Sequence, residues 1–119
     1  MALGKLVVDL SEVVTFADGT KTLFSLPSGA TPLLALVVVT TAFNDSGTDT
    51  LEIGVSGNTD YYAVGIPLGS TGAQLVALTN VLSLSRKTAI VAKYTGGSGD
   101  ATAGRAEVHI LYSNPFKPV

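Results

Sequence analysis

The segment RAEVHILY (residues 105–112) sets Ala106, Val108, Ile110 and Tyr112 on one side against Arg105, Glu107 and His109 on the other. This period-two alternation is that of a strand with one wet face. RKTAIVAKYT (86–95) alternates in the same way, with Ala89, Val91 and Lys93 opposite Ile90, Ala92 and Tyr94. The two segments are expected to form a terminal hairpin. Upstream, KLVVDL (5–10) and SEVVTF (11–16) read as short strands, and SEVVTF is expected to turn through Asp18-Gly19 into KTLFSL (21–26), because glycine accepts the positive φ of a tight hairpin turn. LLALVVVTTAF (33–43) is apolar at nearly every position and reads as a strand covered on both faces. LEIGVSG (51–57), DYYAVGI (60–66) and LVALTNVLSLS (75–85) complete the set, the last interrupted at Thr79-Asn80.

Turn residues recur every ten or so positions and no window sustains helical spacing. The pattern therefore predicts an all-β fold: an antiparallel β-sandwich, jelly-roll-like, of about eight strands. Residues 1–113 are expected to form one domain, with 114–119 (NPFKPV) as a tail that Pro115 and Pro118 keep out of a ladder. Phe116 in that tail is an aromatic without an obvious place in its own core. Between the last two strands lies GGSGDATAG (96–104), nine small or polar residues where a two-residue turn would suffice. Loops of that length often carry function.

Composition narrows the partners. The 119 residues include 7 basic and 9 acidic ones, a net charge of -2 that offers no cationic face to nucleic acid. Charged residues make up 13% of the chain, against about 25% in typical soluble domains. A positive mean hydropathy points the same way, to a polar surface built mostly of serine, threonine and glycine and to apolar surface covered by other subunits. There is no cysteine, so thiolate chemistry and disulfides are excluded. Lys5, Asp9 and Glu12 interrupt any leader-like N-terminus, and the longest apolar run, Leu33 to Val39, is far short of a membrane-spanning helix. Neither a membrane nor a cleaved leader is expected.

Candidate chemistry is sparse. His109, the only histidine, falls on the wet face and reads as a surface residue. Gly54–Asn58 (GVSGN) resembles a nucleophile elbow but lies between two β segments, which leaves a hydrolase built on Ser56 and His109 as the last choice. The glycine-rich loops lack the lysine and following helix of a phosphate cradle. Asp45, Asp49 and Asp60 raise a calcium site, but their spacing fits no known calcium loop, and aspartate at turns ordinarily bonds its own backbone. Asn44-Asp45-Ser46 is formally a glycosylation acceptor. Tyr61-Tyr62 can offer one ring as a flat platform for a sugar while the other packs inward. No catalytic, cofactor or metal residues are assigned.

LEIGVSGNTDYY (51–62), AIVAKYTG (89–96) and ATAGRAEVHILY (101–112) together resemble small virion structural proteins of tailed bacteriophages, best over residues 33–113. The resemblance implies a non-enzymatic jelly-roll or β-sandwich module on a capsid or tail. It further implies a capsid decoration or cement protein, made in the host cytoplasm, whose partners are the major capsid protein and copies of itself, as a homotrimer. A glycan-binding or structural module of a tail tip or fibre is the alternative. The expected interface residues are Tyr62, Gly97, Gly99, Asp100 and Phe116.

Overall fold

The computed structural model describes residues 5–115, and they form eight antiparallel strands and no helix. In chain order these are β1 (Lys5–Thr15), β2 (Thr20–Leu26), β3 (Thr31–Thr41), β4 (Asp49–Val55), β5 (Asn58–Pro67), β6 (Gly72–Ala77), β7 (Thr88–Gly96) and β8 (Arg105–Pro115). One sheet has the order β1-β8-β3-β6 and the other β2-β7-β4-β5. The first strand thus pairs with the eighth, the second with the seventh, the third with the sixth and the fourth with the fifth. The chain is a long two-stranded ribbon rolled into two layers, which is the jelly-roll winding expected from its pattern.

The alternation seen in β8 is realised: Ala106, Val108 and Ile110 are buried and face Val14 of β1 and Ala35, Val37 and Val39 of β3. Leu26, Leu51, Ile53, Tyr62, Ile66, Ile90 and Ala92 of the second sheet join them in one core. Each large aliphatic side chain fully buried here contributes roughly 1.5–3 kcal/mol of transfer free energy. At one side of the sandwich, Lys21 of edge strand β2 donates to the Val13 carbonyl of edge strand β1 at 2.6 Å, with the Glu12 carboxylate 4.0 Å away.

Several expectations about pairing are corrected. KLVVDL and SEVVTF are a single strand, because the ladder with β8 runs through Ser11 opposite His109 without a break. Asp18-Gly19 does make a tight turn: the Asp18 carboxylate accepts from the Thr15 amide at 2.7 Å and Gly19 has φ +60. That turn carries the chain from one sheet to the other, however, and is not a hairpin. The last two strands likewise lie in different sheets. A local turn signal specifies a reversal of direction and leaves the hydrogen-bonding partner open. The one direct hairpin joins β4 to β5 through Ser56-Gly57, with Val55 opposite Asn58 and Gly57 at φ +85.

The apolar run in β3 is covered on one face only. Ala35, Val37 and Val39 point inward, while Leu34, Leu36 and Val38 are half-exposed on the outer face of a two-layer structure. The LVALTNVLSLS segment is a strand only to Ala77; Asn80 takes φ 53 and the chain leaves the sheet. β8 extends past Tyr112 to Pro115, opposite Lys5, so the first residues of the expected tail are in the ladder after all. Beyond Ser113 that ladder is with β1 alone, which leaves a proline free on the other side.

Candidate functional site

Antiparallel winding gathers the loops at two ends. One end collects the β1–β2, β3–β4, β5–β6 and β7–β8 connections. The other collects the β2–β3, β4–β5 and β6–β7 connections. The long β7–β8 loop is not a bare tip. Asp45 of the β3–β4 loop accepts from Gly47 N at 2.7 Å, Ser98 N at 2.8 Å and Asp100 N at 3.0 Å. Asp100 returns the contact, accepting from Ser46 N at 2.8 Å and Ser46 Oγ at 2.6 Å. Asn44 Oδ1 accepts from Thr102 N and Ala103 N at 2.8 and 3.0 Å, and Asn44 Nδ2 donates to Thr102 Oγ1 at 2.9 Å. Gly97 N donates to Thr48 O at 2.8 Å. Two loops that could not pair as strands satisfy each other's backbone through side chains.

Small residues make this closeness possible. A Cβ on Gly47 would lie 3.0 Å from Gly97 Cα, and one on Gly96 would lie 2.5 Å from Asp45 Oδ2 and 2.7 Å from the Tyr94 hydroxyl. Beneath the loops the Tyr94 hydroxyl donates to Asp49 Oδ1 at 2.5 Å, and its ring lies 4.9 Å from that of buried Phe43. Burial alone would push the Asp45 carboxyl up, but the amides of Ser98, Gly47, Asp100 and Gly99 together outweigh it and hold the carboxyl below its ordinary value. The Tyr94 hydroxyl is pushed up, first by burial and then by its bond to Asp49 and the nearby carboxylates.

The opposite end is built differently. The β6–β7 connection, residues 78–87, is pinned through backbone and side chains alike: Leu84 N donates to Ala30 O at 2.8 Å and Gly29 N to Leu84 O at 2.7 Å. Ser83 Oγ donates to Gly29 O at 2.9 Å, and Asn80 Nδ2 to Tyr61 O at 2.7 Å. Between this loop and the β4–β5 turn is an open cleft of about 630 Å³ lined by Ser56, Tyr61, Asn80, Leu82, Arg86 and Lys87, among others.

The expected site residues separate accordingly. Tyr62 is 1% exposed, with its ring 5.0 Å from that of Tyr61 and edge-on to it. It is a core residue with no surface to offer a partner or a sugar; the half-buried ring of the pair is Tyr61, in the cleft wall. Gly97 and Asp100 hold the β3–β4 loop, whereas Gly99, at φ +71, has open space around it. Phe116 lies outside the described residues. His109 is on the outer face of β8, with Nδ1 3.2 Å from Asp9 and Nε2 3.3 Å from Glu107. It is in a different sheet from the turn that carries Ser56, so the structure does not bring these two together. Asp60, near the β4–β5 turn, is at the far end of the molecule from Asp45 and Asp49. Among the described residues no group of three or more acidic or histidine side chains is placed to hold a metal ion.

The sequence matches no family model and no curated protein. In fold it is similar to chains in three phage capsids. A chain of the cyanophage Pam1 capsid asymmetric unit superposes with a TM-score of 0.73 at 19% identity, covering 97% of this chain and 89% of that one. A chain of the acid-stable capsid of Helicobacter pylori bacteriophage KHP30 gives 0.75 at 16% identity, with coverage of 96% and 92%. A chain of the capsid of Ralstonia phage GP4 gives 0.67 at 18% identity, with coverage of 99% and 88%. What is shared at this identity is the fold, end to end, with chains of nearly the same length.

Proposed function

We propose that the chain is a non-enzymatic structural protein of a bacteriophage virion, a decoration or cement protein that stabilises the head by binding the shell and copies of itself. The observation that carries this reading is the match over nearly the full length of both partners to small chains of three separate phage capsids. A chance resemblance to one domain of a larger protein would leave much of the neighbour uncovered.

The surface supports the same reading. On the outer face of the β1-β8-β3-β6 sheet, Leu36 is flanked in register by His109 and Leu75, Val38 by Glu107 and Ala73, and Leu34 by Leu111 and Ala77. Leu75 is 66% exposed. This apolar strip suits burial against a neighbouring copy, and a closed ring of three is the assembly we assign to it. The open tip at Gly99 is available to a neighbour at the laced end. The protein's place is the capsid surface, after synthesis in the host cytoplasm.

Cryo-electron microscopy of the particle tests the assignment. Density for this jelly roll on the outside of the head, in groups of three, is the expected result. Density confined to the tail, or to the tips of fibres, contradicts it.

A further inference from the structure

The β6–β7 end presents a surface that the fold itself does not use. Val81 and Leu82 are 44% and 64% exposed, two of the four large apolar side chains turned to solvent among the described residues. They are not the tip of a loose loop, because the bonds of Asn80, Ser83 and Leu84 pin the chain on either side of them. A leucine held outward by a fixed backbone gains nothing from its own core.

Charge gives the surface a sign. The β6–β7 loop holds Arg86 and Lys87 and no acidic residue, and the exposed Asp60 near the β4–β5 turn shares this end with them. Arg86 and Lys87 are exposed, and neither forms an ion pair among the described residues. The opposite end carries Asp18, Asp45, Asp49 and Asp100 against Lys21 and Arg105. Strands of up to eleven residues hold the ends roughly 30 Å apart, several Debye lengths at physiological salt (about 8 Å). A partner therefore meets the sign of one end at a time, although the net charge of the chain is -2.

We propose that this end is the shell-facing surface and that it docks on an acidic polypeptide surface of the capsid. Leu82 and Val81 seat in an apolar depression there, and Arg86 and Lys87 face its carboxylates. The cleft beside Tyr61 takes a side chain projecting from the shell. An acidic shell repels the aspartate-rich end and attracts this one, so charge also orients the protein as it approaches. The inference rests on the capsid reading above.

The test is co-sedimentation with heads that lack this protein, purified from the phage that encodes it, across a salt series. The wild-type chain is expected to bind, and more weakly as salt rises. The double reversal Arg86→Glu, Lys87→Glu is expected to weaken binding by about tenfold or more and to flatten the salt dependence. Leu82→Ser should weaken it too, whereas Val64→Ser, at an equally exposed valine on β5, should not. Melting curves confirm that each variant is folded, and Arg86→Gln, Lys87→Gln serves if the reversal is not. Wild-type strength in the charge variants overturns the docking surface and leaves the capsid reading in place. Failure of the wild-type chain to bind heads overturns both.

Discussion

At one end of the sandwich Asn44 and Asp45 turn their side chains onto the backbone of a neighbouring loop; at the other, Leu82, Arg86 and Lys87 are exposed on a loop that its backbone and the side chains of Thr79, Asn80 and Ser83 pin. Both ends are ordered, but the first consumes its polar groups internally and the second leaves apolar and cationic groups unmatched. Glycine content therefore does not identify the working end of this molecule. The most glycine-rich loop is the self-satisfied one, and the candidate contact surface is an apolar connection, residues 78–87, whose first part the pattern of the chain reads as a strand.

The comparison breaks most severely at Phe43, which is buried under the laced loops against Tyr94 and beside Gly104. Phe43→Ala is expected to cost about 3–5 kcal/mol, read from denaturant unfolding. Gly96→Val comes next. Its Cβ would stand 2.5 Å from Asp45 Oδ2, so the clamp must open, at about 1–3 kcal/mol. A loss well under 1 kcal/mol in either variant means that the loops are not held as described.

Much of the first layer of this structure was legible. The alternation of Ala106, Val108, Ile110 and Tyr112 named the inner face of β8, and the turn spacing named an eight-stranded sandwich. Partners were not legible: Asp18-Gly19 signals a reversal, and nothing local says that β2 then pairs with β7, some seventy residues on. The lacing was hidden for the same reason. The bonds from Asp45 to Ser98 and Asp100 span 53 and 55 residues, and one carboxylate accepting backbone amides leaves no spacing to read. By residue type Asp45 and Asp49 raise a calcium site, whereas their partners are backbone amides and the Tyr94 hydroxyl. The only available signal was the pairing of a loop rich in small residues with an Asn-Asp pair in another loop.

Acid sharpens the comparison. Because the Asp45 carboxyl is held below its ordinary value of 3.8, its contribution to stability is complete above that value and is lost as pH falls through the lower folded value. The laced end is thus expected to loosen first in strong acid, seen as amide resonances of Ser98 and Asp100 shifting before those of β3. Asp45→Asn should remove that acid step. The smallest effect is expected at the other end: Leu82→Ser should change unfolding stability by no more than about 0.5 kcal/mol, since Leu82 is 64% exposed, while still weakening attachment to heads.

Hydrogen–deuterium exchange on the free protein and on protein bound to heads follows both ends in one experiment. The account predicts slow exchange at Ser98, Asp100, Thr102 and Ala103 in the free protein, little changed on binding, and new protection on binding across residues 78–87. Fast exchange in the β7–β8 loop of the free protein, with protection appearing there and not at 78–87 on the head, would contradict it.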